Sequence, residues 1–252
     1  MDLGEVSHFL TSVLKLKLEP IGIKMLKGVE DLEKLGVKPF GKNLAFCQYL
    51  KAAALYGRPY GLTPDNCDAC VVGSRILGFK DIPPDLEKRW CELNAYTPDV
   101  FKKLIEKVHA LPLGSYGAAL VAPLRFFSLK NLEPDSIMLF VNSAQAYILL
   151  VSFFDHTGVK PWSDFNGHAA CEAVTAAMTK SSPWLTIPCG GARALAEAQD
   201  DELWMAFKPS DLAKAVERLR KTKFGYYPPI LQMPLIPPQP EFVLTKLISR
   251  EG

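Results

Sequence analysis

Six cysteines punctuate this chain of 252 residues, at positions 47, 67, 70, 91, 171 and 189. The opening residues include Asp2 and Glu5, with no basic stretch leading into an apolar run, so a secretory signal is not expected. Thiols in such a protein are expected to stay reduced in the cytoplasm, where clustered cysteines serve metals or catalysis more often than disulfides. Any single cysteine is by default a small buried hydrophobe, so the arrangement has to carry the chemistry.

The arrangement is repetitive. Cys47-Gln-Tyr-Leu-Lys-Ala-Ala53 is echoed by Cys171-Glu-Ala-Val-Thr-Ala-Ala177, and Cys70-Val-Val-Gly-Ser-Arg75 by Cys189-Gly-Gly-Ala-Arg193. Leu62-Thr63-Pro64 precedes the second cysteine of one pair, and Leu185-Thr186 with Pro188 precedes that of the other. A proline and an apolar strand, Ile21–Leu26 or Ile137–Val141, come before each first cysteine. Matches in the same order point to an internal duplication. Two similar halves packed about a pseudo-two-fold axis would bring Cys47, Cys70, Cys171 and Cys189 together. Four thiolates are the usual ligand set of an iron–sulfur cluster, expected here to be [4Fe–4S], and also of structural zinc.

The neighbours of these cysteines suggest supporting roles. Gly190 and Gly191 let the backbone pass close to a bulky group, and the start of a helix favours a thiolate at Cys189. Arg75 and Arg193 are candidates to offset cluster charge or to hold an anionic ligand. Alternatively, with no metal, Cys189 would be a nucleophile and Arg193 would bind an anionic substrate. In a binding or scaffold protein, the cysteines would simply be core residues. His168 lies three residues before Cys171, on one helix face with it if the helix starts there, and could serve as ligand or base. Cys67 and Cys70 form a C-x-x-C without a second such pair, Cys91 reads as core, and Asp200-Asp201-Glu202 as a solvated loop.

The elements that must position these residues come from periodicity. Helices are expected at 3–17, 43–56, 71–78, 84–93, 98–108, 144–157, 168–179, 190–199 and 210–221, and strands at 21–26, 117–124, 136–141, 184–187 and 203–207. The apolar stretch Ile137–Phe154 divides at Asn142, Ser143 and Gln145 into strand and helix and is not read as a membrane span. The fold class is α+β, two α/β halves (1–112 and 113–224) with a mixed sheet and packed helices. Residues 225–252 are expected to be a C-terminal arm, since Tyr226–Pro240 holds six prolines. A net charge of +2 argues against a dedicated nucleic-acid binder, which needs a dense basic face. No Walker A, G-x-G-x-x-G, H-E-x-x-H or G-x-S-x-G motif occurs, which removes the common nucleotide, zinc-protease and esterase readings.

The set Pro20-Ile-Gly-Ile-Lys24, Cys47-Gln-Tyr-Leu, Cys70-Val-Val-Gly-Ser-Arg-Ile-Leu-Gly78, Asn142-Ser-Ala-Gln-Ala146, Cys171-Glu-Ala-Val174 and Pro188-Cys-Gly-Gly-Ala-Arg193 resembles domain-of-unknown-function family 169. That resemblance spans residues 10–220 and implies an archaeal or anaerobic bacterial setting that suits an oxygen-sensitive cofactor. It implies little about activity. The family pattern carries one cysteine near position 70, so Cys67 is an extra. The expectation is therefore a cytoplasmic iron–sulfur protein, with a homodimer as the candidate assembly, a redox partner or a small anionic substrate, and no nucleic-acid or membrane partner.

Overall fold

The computed structural model describes residues 2–94, 97–161, 163 and 167–222. Six strands form one sheet: β1 (Ile21–Leu26), β2 (Tyr60–Leu62), β3 (Ala118–Pro123), β4 (Ser136–Val141), β5 (Trp184–Thr186) and β6 (Leu203–Phe207), in the order β2-β3-β1-β4-β6-β5. The strands are short apolar runs closed off by prolines and turns, as at Pro20 and Pro134. They are buried on both faces, so they lack the polar–apolar alternation of a half-exposed sheet.

Every pairing between these strands is antiparallel, where a mixed sheet was expected. The reason lies in the order. β1 and β2 run the same way, but β3 is inserted between them and pairs with both. β4 and β5 likewise flank β6. Each triplet is thus a split β-α-β unit whose parallel strands never touch. The triplets meet where β1 pairs with β4, from Ile21↔Met138 to Ile23↔Ser136. Asp135 pins that seam, accepting from the Met25 N–H and from Lys24 Nζ, each at 2.8 Å.

Helices cover both faces. On one lie α3 (Phe46–Tyr56), α4 (Val71–Ile76), α9 (Glu172–Thr179) and α10 (Gly190–Ala196), packed on Ile21, Ile23, Val121, Met138, Phe140 and Trp204. The alternate strand residues, such as Leu120, Leu139 and Met205, are buried outside that cluster, as a period of two requires. Among the helices packed elsewhere on the sheet are α7 (Leu124–Leu129) and α8 (Ser143–Thr157). A Cβ on Gly22 would lie 2.6 Å from the Phe127 ring, so α7 packs against a strand position open only to glycine. Asn142 and Gln145 cap α8 reciprocally, which is why the 137–154 stretch turns from strand to helix there.

The remaining helices are α1 (Leu3–Leu14), α2 (Val29–Lys34), α5 (Pro84–Asn94), α6 (Pro98–Lys107) and α11 (Pro209–Lys221). α2, β2 and α7 were not anticipated; at six, three and six residues they are too short to show a period. The successions β1-α2-α3-β2-α4-β3-α7 and β4-α8-α9-β5-α10-β6-α11 match element for element, with the α5–α6 pair added to the first. Among the described strands, β3 pairs with β1 and β2. Residues 1–220 form one compact unit, and the C-terminal arm at 225–252 lies outside the described residues.

Gly78 ends the segment that carries Cys70. Its φ is +71°, and an added Cβ would lie 2.5 Å from the carbonyl oxygen of Pro112. Gly78→Ala should cost about 2 kcal/mol or more, combining left-handed strain with overpacking. Chemical denaturation would register this as a lowered midpoint.

Candidate functional site

All six cysteines are free thiols. Four of them, Cys47, Cys70, Cys171 and Cys189, border one cavity of about 470 Å³. Each stands where a helix begins. Cys70, Cys171 and Cys189 are the N-caps of α4, α9 and α10, and Cys47 is the second residue of α3. The split β-α-β layout explains the convergence. The crossovers from β1 to β2 and from β4 to β5 run through α3 and α9 on the same sheet face, and α4 and α10 start soon after β2 and β5.

Backbone groups reach the sulfurs. The Ala192 N–H donates to Cys189 Sγ at 3.4 Å, and Cys47 Sγ lies 4.0 Å from the Gly191 carbonyl, joining α3 to the start of α10. The wall between the sulfurs is thin. Gly73, Gly190 and Gly191 line it, an added Cβ at Gly73 would lie 3.9 Å from Cys171 Sγ, and one at Gly190 would project into open space. Among the described residues, no three His, Cys, Asp or Glu side chains gather as a site for a metal ion. The four cysteines share the lining of this cavity.

Burial sets the acidity of these thiols. It pushes Cys47 from an ordinary 9.0 up to about 12, with Cys70 and Cys189 adding to the effect. Cys171 rises well above the ordinary value for the same reason, reinforced by Cys189, Cys47 and Cys70. Cys70 is raised by burial, which outweighs the pull of the Gly73 N–H towards the thiolate. Burial thus favours the protonated form of Cys47, Cys70 and Cys171. Binding a thiophilic metal must expel those protons.

Other candidates are placed differently from their sequence reading. Arg75 donates to the Leu111 carbonyl at 3.2 Å and faces Asp81, and Arg193 contacts Asp200 at 3.1 Å. Neither lines the cavity, because each finds a partner away from it. His168 does line the cavity, but from the chain before α9. The turn at Ala169, with φ +56°, separates it from the helix, so the shared-face argument does not apply.

Cys67 is fully buried outside the cavity lining, its thiol raised by burial and then by Cys70 and Cys47. Cys91 is buried on α5. Glu202 is not a solvated loop residue: it is 9% exposed, pairs with Lys51 at 2.7 Å and accepts from Trp204 Nε1 at 2.6 Å. Lys51 lies one turn beyond Cys47, so this pair ties α3 to the approach to β6. Sequence reasoning missed Trp90 and Leu104, which also border the cavity. Their only signal was position on two amphipathic helices, which does not say what those helices face.

Residues 9–218 match the profile of domain-of-unknown-function family 169, described as an uncharacterised ArCR family. The chain belongs to this family. A relative within reach is an uncharacterized protein of Methanocaldococcus jannaschii, 25% identical over 233 residues, covering 88% of this chain and 97% of the relative. No solved structure matches the chain. The match takes in all four cavity cysteines, so the site lies wholly inside the family region. None of the described helices is long and apolar enough to cross a membrane.

The raised thiols give a pH signature. Above about pH 9, unfolded chains release thiol protons that the folded metal-free chain retains, so the unfolded state binds fewer protons. Stability of the metal-free protein should therefore fall as pH rises from about 9 towards 12. Urea midpoints across that range would check this, and Cys47→Ser should show a shallower slope.

Proposed function

We propose that the protein holds an iron–sulfur cluster, [4Fe–4S], in the cavity between its two similar halves. Cys47, Cys70, Cys171 and Cys189 are the ligands, and the role is electron transfer or redox chemistry in a reducing, cytoplasmic setting. The observation that carries this reading is the meeting of four thiols, each at a helix start, around one glycine-walled space.

Three features support a cluster over the other readings. A structural zinc ion draws its sulfurs to about 2.3 Å from a single point. The four cysteines here line a cavity that extends to Trp90 and Leu104, with room for a bulky inorganic core. The cavity cysteines stand at helix starts, and the Ala192 N–H donates to Cys189 Sγ, a setting that favours the net negative charge of a thiolate-bound cluster. The arginines expected to offset that charge lie elsewhere, so the backbone takes over their task. The metal-free reading, with Cys189 as nucleophile, leaves the other three cavity cysteines without a role, since burial favours the protonated form of Cys47, Cys70 and Cys171.

The duplication belongs to the same proposal. The two matching successions, and the sheet order β2-β3-β1 followed by β4-β6-β5, suit two repeats related by a pseudo-two-fold axis at the β1–β4 seam. The repeat boundary then falls between α7 and β4. Each repeat supplies one cysteine at the start of its crossover helix and one after its short outer strand.

Anaerobic reconstitution with ferrous iron and sulfide should give a broad visible absorption from thiolate-bound iron. Cys171→Ser should lose most of that iron. Full retention of iron and colour by this variant would contradict the assignment.

A further inference from the structure

Cys67 has no task in the four-thiol site, yet the fold sets it close behind that site. The chain on either side of it is stitched to the loop that leads into α3. The Asn66 carbonyl accepts from the Leu44 N–H at 3.0 Å and from the Tyr49 hydroxyl at 2.8 Å. The Asn43 side-chain oxygen accepts from the Asp68 N–H at 3.0 Å and from the Ala69 N–H at 3.2 Å. Successive residues of an extended chain face opposite ways, so two neighbouring N–H groups on one acceptor mark a curl between Cys67 and Cys70. A four-residue turn brings its ends within about 7 Å, and a disulfide needs a Cα spacing of about 4.4–6.8 Å. Cys67 is fully buried, whereas Cys70 is half-buried and lines the cavity. Of the other thiols, Cys70 acts most strongly on Cys67.

From this placement we infer that Cys67 and Cys70 form a redox-active dithiol, closing to a disulfide that takes Cys70 out of the cavity site. A low-molecular-weight disulfide such as oxidised glutathione is a sufficient oxidant. The sulfur of Cys70, the more exposed of the pair, attacks one glutathione sulfur; the glutathione S–S bond breaks and one glutathione leaves as its thiol. The Cys67 sulfur then attacks the Cys70 sulfur and expels the second glutathione. Two cysteine thiols are oxidised by two electrons, and the two glutathione thiols carry away those electrons and both protons. Cys67 shares a loop with Cys70, whereas Cys47, Cys171 and Cys189 stand on separate helix starts. Asp68, between the paired cysteines, is held by Lys80 at 2.8 Å and by the Asn43 amide, which keeps the curl in place. The consequence for metal rests on the cluster reading: with Cys70 oxidised, one of the four ligands is missing until the disulfide is reduced.

The test uses the full chain, freed of metal under anaerobic conditions and equilibrated with mixtures of reduced and oxidised glutathione. As oxidised glutathione rises, two of the six thiols should be lost together, and peptide mass spectrometry should find Cys67 linked to Cys70. The linked chain should lose most of its uptake of ferrous iron with sulfide and regain it with dithiothreitol. Cys67→Ala should keep iron uptake when reduced but, on oxidation, hold Cys70 only as a mixed disulfide with glutathione. The mapping on the unaltered chain decides the matter even if this variant fails to fold. The inference is overturned if Cys67 stays a free thiol at every ratio, or if Cys70 links instead to Cys47, Cys171 or Cys189. It is equally overturned if the linked chain takes up iron as well as the reduced one. A linked chain that takes up no iron even after reduction would support the dithiol while removing the cluster. Iron uptake by the reduced chain with no Cys67–Cys70 link on oxidation would do the reverse.

Discussion

Four thiols can be buried against one another only while each keeps its proton or while a metal takes the proton's place. Among the described residues, no lysine or arginine borders the cavity to neutralise a set of thiolates, and burial raises Cys47, Cys70 and Cys171. Those three thiols therefore favour their protonated form, and a thiophilic group would bind by displacing the protons. Once bound, such a group is surrounded by helix starts whose fixed dipoles favour negative charge.

The sheet exists in the form that makes this possible. Inserting β3 between β1 and β2, and β6 between β4 and β5, leaves the two crossover helices α3 and α9 on one face, with α10 packed on α3 and α4 on α9. Their first turns, together with the short helices after β2 and β5, enclose the cavity. The Lys51–Glu202 pair holds α3 to the approach to β6, across the seam between the triplets. Such a pair contributes little net stability, but removing one partner would strand the other as a buried charge. It reads best as a device that keeps the two cysteine-bearing regions in register.

Much of this was legible in the residues themselves. The paired cysteine segments pointed to the four thiols that the fold brings to one cavity, and the longer strands were visible as apolar runs between prolines. The split at Asn142 was readable because a reciprocal cap has a fixed three-residue spacing. What escaped depended on contacts remote in sequence. Arg75 and Arg193 looked available until the Leu111 carbonyl and Asp200 were placed beside them, and Glu202 looked solvated until Lys51 arrived 151 positions away. The antiparallel sheet was hidden for the same reason, since strand insertion is a property of pairing and not of any one segment. Trp90 and Leu104 mark the outer cavity only because the α5–α6 pair leans over it.

Metal and sulfide analysis of anaerobically purified protein tests the central claim most directly. The account predicts about four iron and a matching amount of acid-labile sulfide per chain, with little zinc. Zinc at one per chain without sulfide, or a chain that stays metal-free under strictly anaerobic conditions, would contradict it.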